Sequence, residues 1–160
     1  MTTSGPRDHA FRCKFFWTGS EQGGTTSYTS YSRTYRVDFA GKPSIAGSAA
    51  SAFRGDPGLH DPEDLLVASL SACHALSYLA VAARAGVVVV GYEDSAEGTM
   101  ASVAGVMRFT TVKLMPKVIV AAGTDVAKAI ALHEQAHSGC FIANSVNFPV
   151  TNEPSVTVAP

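Results

Sequence analysis

Charge is the scarcest ingredient of this chain. Only 16% of its 160 residues are Asp, Glu, Lys or Arg, against roughly 25% in an ordinary soluble domain. The net charge is −1, so nothing in the balance favours nucleic acid or a membrane surface as a partner. Cysteines number three, an odd and widely spaced set. That argues against a secreted disulfide framework and for the reducing cytoplasm, where a cysteine pair serves catalysis or metal binding. Residues 1–9 lack the apolar core of a secretory signal. Neither G-x-G-x-x-G nor G-x-x-x-x-G-K-[ST] occurs, which removes the glycine-loop phosphate binders. No internal repeat, low-complexity tract or linker divides the chain, so 1–160 reads as one domain. In place of charge the chain has apolar residues, 46% of the total. Part of that apolar surface is expected to be covered by a partner subunit.

Residues 11–17 alternate, with Phe11, Cys13, Phe15 and Trp17 on one face and Arg12 and Lys14 on the other. That period of two predicts a strand with Cys13 in the core. A second strand is expected over 27–39, where Tyr31, Arg33, Tyr35, Val37 and Phe39 share one parity. Arg33 then points inward, and a buried guanidinium requires a carboxylate or an anionic ligand unless it snorkels at the sheet rim. A short strand near 44–48 and a loop at 53–60 follow.

The long helix has a well-marked start. Asp61 suits the N-cap, Pro62 the first helical position and Asp64 the capping-box acceptor, while Glu63 adds negative charge at the positive end of the dipole. The apolar run continues to about Ala85, and Gly86 is a natural stop. Its length invites a membrane reading, but Ser69, Ser71, His74 and Ser77 interrupt it. A helix apolar nearly all round is expected to be enclosed by other elements. Strands are predicted near 87–92, 107–114 and 118–121, a second helix opens after Asp125 and ends near His137, and 148–158 forms a last strand. Strands, helix, strands, helix and strand make an α+β domain.

Three constellations carry chemistry. Cys73 and Cys140 are the first. A buried cysteine has its pKa raised, so a reactive Cys73 needs a cation; Arg33 is the first candidate, with Arg54 and His74 behind it. Cys140 stands at the start of a helical turn, whose N–H groups favour a thiolate. On the residues alone, two isolated cysteines are more readily read as core thiols. The second constellation, His133-Glu134-Gln135-Ala136-His137, fits H-E-x-x-H, in which two histidines one turn apart bind zinc and the glutamate acts as base. Cys140, His60 or His74 could complete such a zinc-dependent hydrolase site, although two histidines near a helix C-terminus also suit the dipole. The third, Arg54-Gly-Asp56 after Phe53, is weak as an isolated motif.

The stretch Asp61-Pro-Glu-Asp-Leu-Leu-Val-Ala-Ser-Leu-Ser-Ala-Cys-His74 resembles the N-P-E-x-L-x-x-x-x-x-x-A-C helix of the OsmC/Ohr superfamily, the osmotically induced and organic-hydroperoxide-resistance proteins. Ala136-His-Ser-Gly-Cys140 is similar to its second cysteine site, and length and element order agree. The resemblance implies an OsmC-like α+β fold, an antiparallel sheet packed on two main helices, in an intertwined homodimer. It implies a thiol peroxidase acting on organic hydroperoxides without a cofactor or metal. Cys73 matches the peroxidatic cysteine, Cys140 the resolving one and Glu63 the active-site glutamate. The family's arginine comes from the early strands, and Arg33 is assigned to it on strand parity, ahead of Arg54. The implied reductant is a dithiol, often on a lipoylated protein. Glu63 and Cys73 are ten residues apart, about 15 Å along one straight helix. A site that uses both therefore takes its glutamate from a facing subunit. A non-catalytic protein that uses the same scaffold to bind a small ligand is the remaining alternative.

Overall fold

The computed structural model describes residues 8–160. The chain folds as two compact units, one ending at Pro62 and the other running from Glu63 to Pro160.

The N-terminal unit is a three-stranded antiparallel sheet, in spatial order β1 (Lys14–Trp17), β2 (Tyr35–Phe39), β3 (Lys42–Gly47). Its register sets Trp17 opposite Tyr35 and Tyr35 opposite Gly47. The Tyr35 ring lies directly on Gly47, where a Cβ would come within 2.3 Å of it, so only glycine fits. The second strand is shorter than its alternation predicts. Residues 27–31 form turns and bends and 32–34 are irregular, because Ser30 Oγ accepts from Ser27 N at 3.0 Å and donates to nearby carbonyls. Such local side-chain bonds compete with a sheet ladder. Arg33 therefore precedes β2 and has no strand parity, which corrects the reason for its selection. Cys13 is exposed, not a core residue, and so is all of β1 beside it, Phe15 and Trp17 included.

The C-terminal unit contains both long helices. Helix α1 (Pro62–Arg84) buries Leu70, His74, Tyr78 and Ala82, a stripe at four-residue spacing. It ends in a Schellman cap: Gly86 adopts φ 73°, and Val87 N reaches Ala82 O at 2.9 Å. Strands β4 (Val89–Asp94), β7 (Pro116–Val120) and β9 (Ser155–Val158) form one sheet, and β5 (Glu97–Val103), β6 (Val106–Leu114) and β8 (Val150–Asn152) another. Each has one antiparallel and one parallel pair. These sheets are mixed, not antiparallel as expected, because the final segment splits into β8 and β9 and returns alongside two different strands. The β5–β6 hairpin turns on Ala104 and Gly105, both at positive φ, the geometry of a primed turn. Helix α2 (Val126–Ser138) is capped by Asp125, whose side chain accepts from Lys128 N at 3.0 Å.

Two apolar clusters hold this unit. Tyr78 and Ala82 pack with Val118, Val120, Ala129 and Ala136. Leu70 packs with Val112 and Leu114, flanked by Phe109, Ile142 and Phe148. Ser71 Oγ donates to Asp94 Oδ2 at 2.6 Å, and Asp94 Oδ1 accepts from Met115 N at 2.7 Å, tying α1 to the strands. Helix α1 is nevertheless not enclosed, contrary to the expectation from its composition. Only one stripe is covered, and Leu76 remains 68% exposed.

Between the helices lies a buried polar stack. His74 Nε2 and His133 Nδ1 share a hydrogen bond of 3.0 Å, and Tyr78 stacks on His133 with ring centroids 3.8 Å apart. Tyr78 also donates to Ala129 O at 3.1 Å. Burial lowers the His74 pKa, and burial followed by the neighbouring His74 pushes His133 down to about 4. An unfolded histidine takes up a proton below about 6.5, whereas folded His133 stays neutral until about pH 4. Stability contributed by the neutral ring is therefore lost as pH falls through that window. Going from pH 7.5 to 4.5 should cost about 2–3 kcal/mol through this residue. Urea unfolding of the parent and of His133→Gln at both pH values measures it; the variant should lose less stability by that amount, and equal losses would contradict the assignment.

Candidate thiol site

Cys73 and Cys140 come from different elements and meet. Cys73 lies on α1, one position before the inward-turned His74, and is half-buried. Cys140 follows α2 and is buried to 1% exposure. The turn around it is tightly bonded: Cys140 N donates to His137 O at 3.1 Å, and Asn144 Nδ2 donates to Cys140 O and Ser138 O, each at 3.0 Å. The two thiols are near enough for Cys73 to raise the Cys140 pKa. Burial first, then the bond to Cys73, push the Cys140 thiol up to about 11, while N–H groups of Ala143 and Ile142 pull the other way. The sequence reading noted that those N–H groups favour a thiolate and placed Cys73 deep in an apolar helical run. The burial is the other way round, and desolvation outweighs the turn. Near neutral pH Cys140 is a protonated thiol able to donate to the Cys73 sulfur.

Glu63 stands in the first turn of α1 and its Oε2 is buried without a hydrogen-bond partner. Helix α1 is unbroken from Pro62 to Arg84, so its rise keeps Glu63 about 15 Å from Cys73 along the axis. Arg33 belongs to the N-terminal unit. Its guanidinium lies 4.7 Å from the Tyr28 ring centroid and 4.4 Å from that of Tyr31, and donates to both of their backbone carbonyls. Such cation–π stacking favours arginine over lysine. The structure thus joins the two cysteines and leaves Glu63 with unused acceptor capacity.

The zinc reading does not survive. His133 is turned into the core, where His74 occupies its Nδ1 and Tyr78 covers its face. Glu134 points outward and is exposed. Among the described residues, no three His, Cys, Asp or Glu side chains are arranged to hold a metal ion. His133 and His137 share a helix but not a coordination site, because one is a core residue of the α1–α2 contact. The Tyr78–His133–His74 stack and the Ser71–Asp94 tie escaped the sequence reading. The four-residue spacing of Leu70, His74, Tyr78 and Ala82 was the available signal for the stack; no comparable pattern marked Asp94.

Comparison with known proteins follows the same lines. The sequence profile of the OsmC family, described as OsmC-like protein, matches residues 55–155. Curated protein sequences return no match. Among solved structures, an OsmC-like protein of unknown function from Vibrio cholerae is 31% identical, covers 92% of this chain and 100% of its own, and superposes with a TM-score of 0.83. An organic hydroperoxide resistance protein, OsmC, from Legionella pneumophila is 19% identical over 95% of this chain and 99% of its own, with a TM-score of 0.70. The organic hydroperoxide resistance protein OhrB of Bacillus subtilis is 17% identical over 93% and 98%, with a TM-score of 0.64. The last two share the fold. With the profile spanning well over half the sequence and both cysteines inside it, this chain belongs to the OsmC-like protein family.

Proposed function

We propose that this protein is a two-cysteine peroxidase that reduces organic hydroperoxides. The observation that supports it is the Cys140 thiol, buried, protonated and close enough to Cys73 to be shifted by it. A resolving cysteine needs that position, and a structural thiol has no need of a second sulfur beside it. The family names of the Legionella and Bacillus structures point the same way.

In this mechanism the Cys73 thiolate attacks the terminal peroxide oxygen. The O–O bond breaks, the alkoxide leaves and is protonated to the alcohol, and Cys73 becomes a sulfenic acid. Cys140 sulfur then attacks Cys73 sulfur. Its proton accompanies the departing hydroxide as water, and a disulfide remains. A dithiol reductant returns both thiols by two exchange steps and is itself oxidised to a disulfide; a lipoylated protein fits this role. Such a cycle suits a reducing cytoplasm. Arg33 is assigned the cation that favours the Cys73 thiolate and polarises the peroxide, and Glu63 the carboxylate that orients it. Aromatic residues such as Phe109 and Phe148 in the cysteine-bearing unit favour organic peroxides. Replacing Cys73 with Ser should reduce turnover to background in a coupled dithiol assay. Cys140→Ser should instead form one equivalent of sulfenic acid, trapped by dimedone. Full turnover by the Cys73 variant would sink the reading.

The working unit is proposed to be a homodimer. Supporting this are the uncovered apolar side of α1, including Leu76 and Leu79, the exposed Phe11 and Phe15, and the unpartnered Glu63 oxygen. A facing subunit would bury the first and supply a donor to the last. Mixing Cys73→Ser with Glu63→Gln tests it directly. Each variant alone should be inactive, yet mixed dimers should regain activity, since one of their two sites is intact if the glutamate crosses over. A fully active monomer by light scattering would overturn the dimer.

A further inference from the structure

The N-terminal unit contains a second polar concavity that involves neither cysteine. It is about 410 Å³ in volume and is lined by Thr29, Ser32, Arg33, Thr34, Arg54 and Asp56, among others. Two arginines therefore stand on one wall. Arg33 spends one N–H of each terminal nitrogen on the carbonyls of Tyr31 and Tyr28, at 3.0 and 2.6 Å. Arg54 makes no side-chain hydrogen bond or ion pair among the described residues. Guanidinium groups only donate. The one carboxylate on the wall, Asp56, already accepts from Gly58 N at 2.8 Å through Oδ1. With Arg33 and Arg54 against Asp56 the wall is positive by one charge, and its Ser and Thr hydroxyls can donate as well as accept.

The backbone holds Arg54 there against its own preference. Arg54 sits at φ 67°, ψ 28°, the left-handed region, which disfavours a residue with a Cβ. The turn cannot relax on its far side: Gly55 packs so closely on Ala49 that a Cβ would lie 1.4 Å from its carbonyl oxygen. Arg54 N and Gly55 N are bonded to Ser51 O and Ala50 O at 3.0 and 3.1 Å. Ser48 Oγ, also on the wall, accepts from Asp56 N at 3.0 Å and fixes the other end of the turn. An unpaired arginine kept at an unfavourable φ beside a second arginine is the kind of local strain found at ligand clamps.

We propose that this concavity binds a small oxyanion, a carboxylate or a phosphate group, clamped by Arg54 with Arg33. Planar guanidinium groups match both anions in a paired fashion, and the volume leaves room for the body of a molecule that carries the group. Arg33 is shared with the proposed peroxidase cycle, but binding requires no cysteine. It is therefore measured on the Cys73→Ser protein, where failure of the site and failure of the peroxidase reading are separate results.

The experiment is calorimetric titration of that protein with sodium phosphate and, separately, with sodium acetate. One site per chain is expected for at least one anion, weakening as ionic strength rises. Competition between the two names the source, a phosphoryl or a carboxyl ligand. Arg54→Gly removes the guanidinium and relieves the left-handed backbone, so its melting temperature should equal or exceed the parent's while affinity falls at least tenfold. No saturable binding of either anion, or undiminished binding by Arg54→Gly, overturns the proposal.

Discussion

Two thiols on different elements are brought beside each other, and the proposed cycle depends on much of the C-terminal unit holding them there. Helix α1 supplies Cys73, and the turn after α2 supplies Cys140. The two helices are held together beside these positions by the His74–His133 hydrogen bond and the stacked Tyr78. Asp94 fixes α1 to the strands through Ser71, and Asn144 closes the Cys140 turn. The position of each sulfur thus rests on polar contacts that are specific in direction, set within two apolar clusters that are not.

That arrangement divides labour between the sulfurs by burial alone. Cys140 is enclosed and holds its proton, whereas Cys73 is half-open and is the more accessible sulfur. In a low-dielectric setting a thiol that keeps its proton is a donor, and the natural acceptor is the neighbouring sulfur. The same burial keeps Cys140 from competing as the nucleophile. In the proposed cycle the first oxidation then falls on Cys73 and the second step on the pair.

Much of this was legible in the chain. The strand–helix–strand order, the Pro62 start and Gly86 stop of α1 and the Asp125 cap of α2 all follow from local chemistry that acts within a few residues, whereas the two cysteines were paired only through the family resemblance. What was not legible depended on competition or on distant partners. Alternation over 27–39 suggested one long strand, but serine side chains captured the backbone before Tyr35, and Arg33 fell outside the sheet. The H-E-x-x-H spacing suggested a metal site, but spacing does not say which way His133 turns, and its partner, His74, lies 59 residues away in sequence. The all-round apolar character of α1 suggested enclosure, whereas its own chain covers one stripe. The Cys140 turn was recognised, yet its effect on the thiol was misjudged because the depth of burial is a tertiary property.

The central claim is that Cys73 and Cys140 form a working redox pair. The most direct measurement is titration of the reduced protein with one equivalent of an organic hydroperoxide, followed by non-reducing peptide mass spectrometry. The expected result is loss of two thiols per chain and a single Cys73–Cys140 cross-linked peptide, with Cys13 still free. Oxidation confined to Cys13, or loss of Cys73 with no cross-link to Cys140, would contradict it.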